Sequence, residues 1–328
     1  MAAWLTSPDG GAVPAANLRK ITVTAAEEAA FTGIGDARPR RSDVDQALLS
    51  VTAKARDDVS ADRAVWNATR LYFYVSGHGI APLSGEAALV LADANEDSLG
   101  QNIELSLYNQ WYAACGYFSE VVMLADCCRE QLGGTPPAIA PPFNLCAAPY
   151  GQTLSLVGYA TGLGGVAYEP LQVPNPNIGR GYFTRALLAG LGGGAPDPLA
   201  AGAVTSRSLG PYVRDLVSEM TKSQKVRQEV QVRSESTRLI LFRPAPADGA
   251  VARPKRAVTI CFPAGSVGVA ELQTGTFTSV GSWDMAKGQW SIDLVEGLYI
   301  VKAQSPGARA FAEGGLFKVL GTDRVVQL

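Results

Sequence analysis

Long apolar runs are missing from this chain. The strongest, LYFYV (71–75) and VVMLA (121–125), last five residues, against the roughly 18 that a membrane-crossing helix needs, so no bilayer-spanning segment is expected. A surplus of positive charge is missing too. With 28 Lys and Arg against 30 Asp and Glu the formal charge is -2 and the pI lies near 5.6, which leaves nothing to neutralise a phosphate backbone or an anionic membrane. Nucleic acid and membrane are thereby excluded as main partners. The opening MAAWLTSPDGGAVPAANLRK contains Asp and Pro and lacks the basic-then-apolar order of a secretory leader. Cysteines number five, with Cys127 and Cys128 adjacent; an odd count with a doublet is no disulfide framework and suits a reducing cytoplasm. One histidine with scattered cysteines cannot supply four zinc ligands at paired spacings. Neither Gly162–Gly165 nor Gly192–Gly194 is followed by the Lys-Ser/Thr of a phosphate loop. Asp93, Glu96 and Asp97 read as a solvated loop rather than a cation site. No metal and no cofactor is expected.

What is present is a chain of 328 residues, 47% apolar and 18% charged, long enough for a full core and about two domains. Up to residue 243, short apolar runs precede stretches of helical period, the pattern of buried parallel strands with crossover helices. The candidate strands are LRKITV (18–23), LYFYV (71–75), VVMLA (121–125), SLVGYA (155–160) and RLILF (238–242). Ser42 stands where it can cap a helix with Asp43 and Asp45 in its first turn. The alternation predicts a three-layer α/β sandwich with a mostly parallel sheet over 1–243. Residues 244–255, rich in Pro, Ala and Gly, suit a linker. Residues 256–328 consist of short β-rich runs separated by glycines and predict a small antiparallel all-β sandwich without helices. The Pro-rich stretch 133–151 is too irregular for an element and long for a connector.

His78 is the sole histidine, so any mechanism that needs an imidazole at neutral pH has one candidate. It lies in Ser76-Gly77-His78-Gly79, directly after LYFYV; fifty residues on, VVMLA ends in Asp126-Cys127-Cys128-Arg129. Open α/β sheets place their sites at the C-terminal tips of strands, and adjacent parallel strands would set these two tips roughly 5 Å apart. An imidazole beside a thiol favours the thiolate and can protonate a leaving amine, the chemistry of acyl transfer. Alternation along an extended segment lets only one sulfur of the doublet face the cleft. Cys115 and Cys261, in apolar surroundings, read as packing, and nothing assigns a role to Cys146.

In these residues the chain resembles the caspase and metacaspase peptidases: an apolar strand ending in SGHG, then one ending in D-x-C-R, with the histidine about 50 residues upstream. GYATGLGGVAYE (158–169) and GYFTRALLAGL (181–191) extend the likeness to about residues 1–243, looking like the strand, substrate loop and helix of bacterial caspase-like domains. The resemblance implies a caspase-like sandwich and a cysteine endopeptidase acting on protein or peptide substrates. It makes Cys128 the nucleophile, His78 its partner, and the amides of Gly79 and Cys128 the oxyanion hole. It places Asp126, Ser76, Tyr159, Ala160 and Thr161 at the substrate, with Asp126 selecting Arg or Lys at P1 by charge pairing. The second acidic position of metacaspases falls near Leu163 and Gly164, and Glu169 is the available substitute.

Against the family pattern, the opening strand has no counterpart. The resemblance therefore predicts a gap between LRKITV and LYFYV, belonging to a start placed too late or filled by a strand from elsewhere, such as a second copy. An alternative role stays open: a silent or latent homologue that recruits a regulatory partner protein through the C-terminal sandwich. A bacterial, cytoplasmic setting is the expected one.

Overall fold

The three most apolar runs are short and rich in β-branched and aromatic residues, so they extend and pair rather than coil. The computed structural model describes residues 1–23, 29–30, 32, 36–82, 86–94, 101–131, 141, 151–169, 181–200, 202–222, 226–234, 236, 239–242, 255–274, 279–295, 297–303, 315–319 and 324–328. Its helices are α1 (Ala2–Thr6), α2 (Arg41–Ala61), α3 (Leu105–Ala114), α4 (Tyr182–Ala189) and α5 (Ser206–Lys222). The strands of the first 243 residues are β1 (Arg70–Ser76), β2 (Gly79–Ile80), β3 (Ala88–Val90), β4 (Asn102–Glu104), β5 (Glu120–Asp126), β6 (Leu154–Tyr159), β7 (Val204–Thr205), β8 (Gln231–Ser234) and β9 (Ile240–Phe242).

The central sheet runs β1-β5-β6-β8, parallel from β1 through β6 and closed by the antiparallel β8. Strand β5 is buried on both faces. Val121, Met123 and Ala125 meet Val44, Leu48 and Ala55 of α2 and Tyr108, Trp111 and Tyr112 of α3. Val122 and Leu124 face Phe183, Ala186 and Leu187 of α4 and Leu209, Val213 and Leu216 of α5. Those are three layers, and they explain why β5 reads as a continuous apolar run instead of an alternating one. A small antiparallel sheet, β2-β3-β4, lies beyond the tip of β1.

Four expectations are corrected. Residues 18–23 form no strand and are mostly exposed; among the described residues β1 is therefore an edge strand. A groove of about 1470 Å³ lies beside it, lined by Leu18–Val23, by Arg70–Ser76 and by residues of α2 such as Leu48 and Val51. The run 238–242 does not join the central sheet: β9 pairs antiparallel with β7, and the position beside β6 is taken by β8, whose polar side chains gave no strand signal. Helix α2 starts at Arg41, and its amide end is served by Asp43, which accepts the Arg40 N–H at 2.8 Å; Ser42 lies inside the first turn.

The stretch expected as a linker, 244–255, lies outside the described residues up to Lys255; the strands after it are β10 (Lys255–Cys261), β11 (Val269–Thr274), β12 (Ser279–Asp284), β13 (Gln289–Val295), β14 (Gly297–Ala303), β15 (Leu316–Val319) and β16 (Arg324–Gln327). They form two sheets, β13-β10-β16 and β12-β11-β14-β15, around Val258, Ile260, Leu272, Trp290, Tyr299 and Phe317. Against the fourth of these expectations, β10 and β16 pair in parallel, so the sandwich is not wholly antiparallel. Its helical content among the described residues is one short turn, Met285–Lys287. The whole is a mixed α/β fold with a mostly parallel central sheet and additional antiparallel sheets. No described helix is long and apolar enough to cross a membrane.

Candidate active site

Strands β1 and β5 pair in a register that sets Ser76 opposite Asp126, and the pairing continues past their ends. The Gly77 amide donates to the Asp126 carbonyl at 3.2 Å and the Ala81 amide to the Glu130 carbonyl at 3.0 Å, while Ile80 bridges Glu130 in parallel. His78 and Cys128 each lie two residues beyond the Ser76–Asp126 pair, on these adjoining segments. Gly79 permits the approach: a Cβ there would stand 2.5 Å from Cys127 Sγ and 2.5 Å from the Cys128 carbonyl oxygen, so no larger residue fits without moving the doublet.

The two sulfurs occupy different environments. Cys127 is 2% exposed and belongs to the core under α2 and α3; burial, then the neighbouring Asp126 charge, pushes its thiol up to about 12. Cys128 is half-buried and His78 exposed. The Cys128 Sγ accepts the Ala167 N–H at 3.4 Å and lies 4.0 Å from the Ala167 carbonyl oxygen. The adjoining backbone is tied to the same loop, with the Arg129 amide donating to the Gly165 carbonyl at 2.9 Å and the Gly164 amide to the Arg129 carbonyl at 2.8 Å.

The Arg129 side chain is a buried anchor for this loop. Its guanidinium lies 4.6 Å over the Tyr159 ring and donates to the Thr161 carbonyl at 3.1 Å and to Gln231 Oε1 at 2.9 Å. It pairs with Glu86 at 3.4 Å, which also holds Arg233 at 2.8 Å. Gln228 ties the far side, donating to the Ala160 carbonyl at 2.9 Å and accepting the Tyr168 N–H at 3.0 Å. Tyr159, Ala160 and Thr161 are all buried, whereas Ser76 is exposed.

Asp126, 7% exposed, meets the amide end of α4. Its Oδ2 accepts the Thr184 N–H at 3.2 Å and the Thr184 hydroxyl. Gly181 leaves room for the carboxylate, since a Cβ there would overlap Oδ2 at 2.1 Å. Burial holds the Asp126 carboxyl above the usual carboxylate range, the Thr184 hydrogen bonds oppose the rise, and the charge of exposed Glu169 adds to it. Thr184, Tyr74, Gln228 and Glu86 escaped the sequence reading. The run GYFTRALLAGL marked the segment of Thr184, but no local pattern marks a residue whose partner is 58 positions away.

No group of three or more His, Cys, Asp or Glu among the described residues is arranged to hold a metal. Asp93 instead accepts the Arg41 N–H at 3.3 Å; Glu96 and Asp97 lie outside the described residues, as do Cys146 and all of 133–151 except Pro141 and Gly151.

No protein-family model matches the chain. Over 200 residues it is 29% identical to a protein of a Desulfuromonadales bacterium named as a probable protease. The match takes in 59% of this chain and 23% of that protein, so the chain spans less than a quarter of its relative's length.

Proposed function

We propose that the chain is a caspase-like cysteine endopeptidase that cleaves after Arg or Lys, with residues 1–243 as the peptidase unit, 244–255 as linker and 256–328 as an accessory sandwich. The observation that carries the reading is the shared register: His78 and Cys128 each follow their strand by two residues on segments that remain paired from Gly77 to Glu130. In the first step the Cys128 proton passes to His78 and the thiolate attacks the scissile carbonyl carbon. The oxyanion that forms is held by the amides of Gly79 and Cys128, donors whose loss commonly costs about 3–4 kcal/mol of barrier. His78 returns the proton to the departing amine, and water then releases the acyl group and regenerates the thiol. Asp126, with Glu169 contributing to the local negative potential, is the P1 selector; Ser76, Tyr159, Ala160 and Thr161 border the substrate.

A P1-scanning peptide library, with Cys128→Ala as control, tests this reading. Turnover about tenfold or more faster with Arg or Lys at P1 than with any other residue, and absent in the control, is the expected result; preferred cleavage after Asp overturns the pocket assignment. A second reading, a latent peptidase, is favoured by the Ala167 N–H that occupies the Cys128 sulfur: it requires the 161–169 loop to shift before substrate reaches the thiol.

A further inference from the structure

Two hydroxyls in series lead to the Asp126 carboxylate. Thr184 Oγ1 lies in hydrogen-bond contact with Asp126 Oδ2 and 2.6 Å from the Tyr74 hydroxyl. An ionised carboxylate only accepts, so the single Thr184 hydroxyl proton points to Asp126, and the Tyr74 O–H must donate to Thr184. Burial and the nearby Asp126 charge keep the Tyr74 phenol protonated and therefore a donor. For the charged carboxylate the direction Tyr74 to Thr184 to Asp126 is thus fixed by valence. The same Oδ2 receives the Thr184 amide, the third residue of α4, at 3.2 Å. Both restraints act on one oxygen, and Oδ1 accepts no hydrogen bond from any described residue.

Resting on the endopeptidase reading above, we propose that Thr184 is the positioning residue of the P1 pocket: it holds Oδ2 of Asp126 from two sides and so presents Oδ1 to the P1 cation. A carboxylate fixed on one oxygen has a single orientation to offer, whereas one held by the amide alone can rotate about its last side-chain bond. Tyr74 supports this by taking the free lone pair of the Thr184 hydroxyl, which would otherwise leave that hydroxyl able to turn away from Asp126. Thr184 is 4% exposed and touches no part of the scissile bond in the mechanism proposed, so its effect falls on binding of the P1 cation and not on the chemical step.

The test compares the full-length chain with Thr184→Val, which keeps shape and loses the donor, and Thr184→Ser, which keeps the donor. Substrates are matched peptides with Arg or its neutral isostere citrulline at P1. The expected result is a rise of about tenfold in KM for the Arg peptide in Thr184→Val, the usual worth of a hydrogen bond to a charged group, with kcat within about twofold. Citrulline turnover stays unchanged, and Thr184→Ser restores the Arg KM. The acid limb of kcat/KM for the Arg peptide moves to higher pH in Thr184→Val, because the carboxylate has lost a donor that favours its charged form. Equal losses on both peptides, or failure of Ser to rescue, overturn the proposal and make Thr184 a packing residue. Alkylation of Cys128 by iodoacetamide, followed by mass spectrometry, separates the two levels. If the wild-type chain cleaves neither peptide although Cys128 is alkylated, the endopeptidase reading has failed and the pocket proposal with it. If wild type cleaves the Arg peptide and Thr184→Val does so with the same KM, only the positioning role is lost.

Discussion

A buried carboxylate with a raised proton affinity is a cost that a merely structural residue would avoid. Asp126 carries that cost. Its carboxyl titrates above its ordinary value of 3.8, first through burial and then through Glu169, so the folded chain binds this proton more tightly than the unfolded one does. Stability from this group is fully present below the unfolded value and is lost as pH rises through the folded one. Asp126→Asn removes the titration. We predict that urea unfolding shows the Asn chain gaining on wild type as pH rises from below 4 towards neutrality, while turnover of Arg-P1 peptides falls about tenfold or more with the loss of the charged acceptor. A wild type that gains on the variant over that range contradicts the burial argument. The segments of His78 and Cys128 were legible because each follows an apolar run and carries a short motif. Thr184 and Tyr74 were not, because their meaning comes from contact across the fold.

Among elements, the strands that could be read were those buried on both faces. β1, β5 and β6 needed no partner information, since a continuous apolar run has one stable destination. β8, with Gln231, Arg233 and Ser234, covers one edge of the sheet and is polar because an edge strand tolerates it. LRKITV misled for the opposite reason: its apolar residues are strand-like, but among the described residues no strand stands beside it. Among the described residues the sheet therefore ends at β1, beside a groove that Leu18–Val23 also line. Half of the β1 amides point away from β5 in a parallel pairing. Hydrogen exchange is expected to show these amides about a hundredfold or more faster than the amides of β5, which is flanked on both sides. Equal protection on both strands means that the β1 edge is covered in solution.

At the scale of the molecule, a change of composition over 244–255 was legible, whereas the contact between the residues on either side of it was not. Ile300 of β14 joins the core formed by α4 and α5, and Lys302 lies 3.5 Å from Glu219 of α5. The ion pair is about one-third exposed on both sides and contributes at most about 1 kcal/mol; burial of Ile300 is worth about 1.5–3 kcal/mol. A chain cut after residue 243 is expected to fold with Tm lowered by about 4–12 °C and to keep its peptidase activity. Failure to fold would show that residues 1–243 are not an independent unit. The account as a whole stands on the sole imidazole and one particular sulfur acting together. Hydrolysis of an Arg-P1 peptide by the intact chain and by Cys128→Ala, Cys127→Ala and His78→Ala measures that directly. Losses of about a thousandfold or more in Cys128→Ala and His78→Ala, with Cys127→Ala within a few-fold of wild type, are the predicted result; undiminished turnover in Cys128→Ala, or an equal loss in Cys127→Ala, contradicts it.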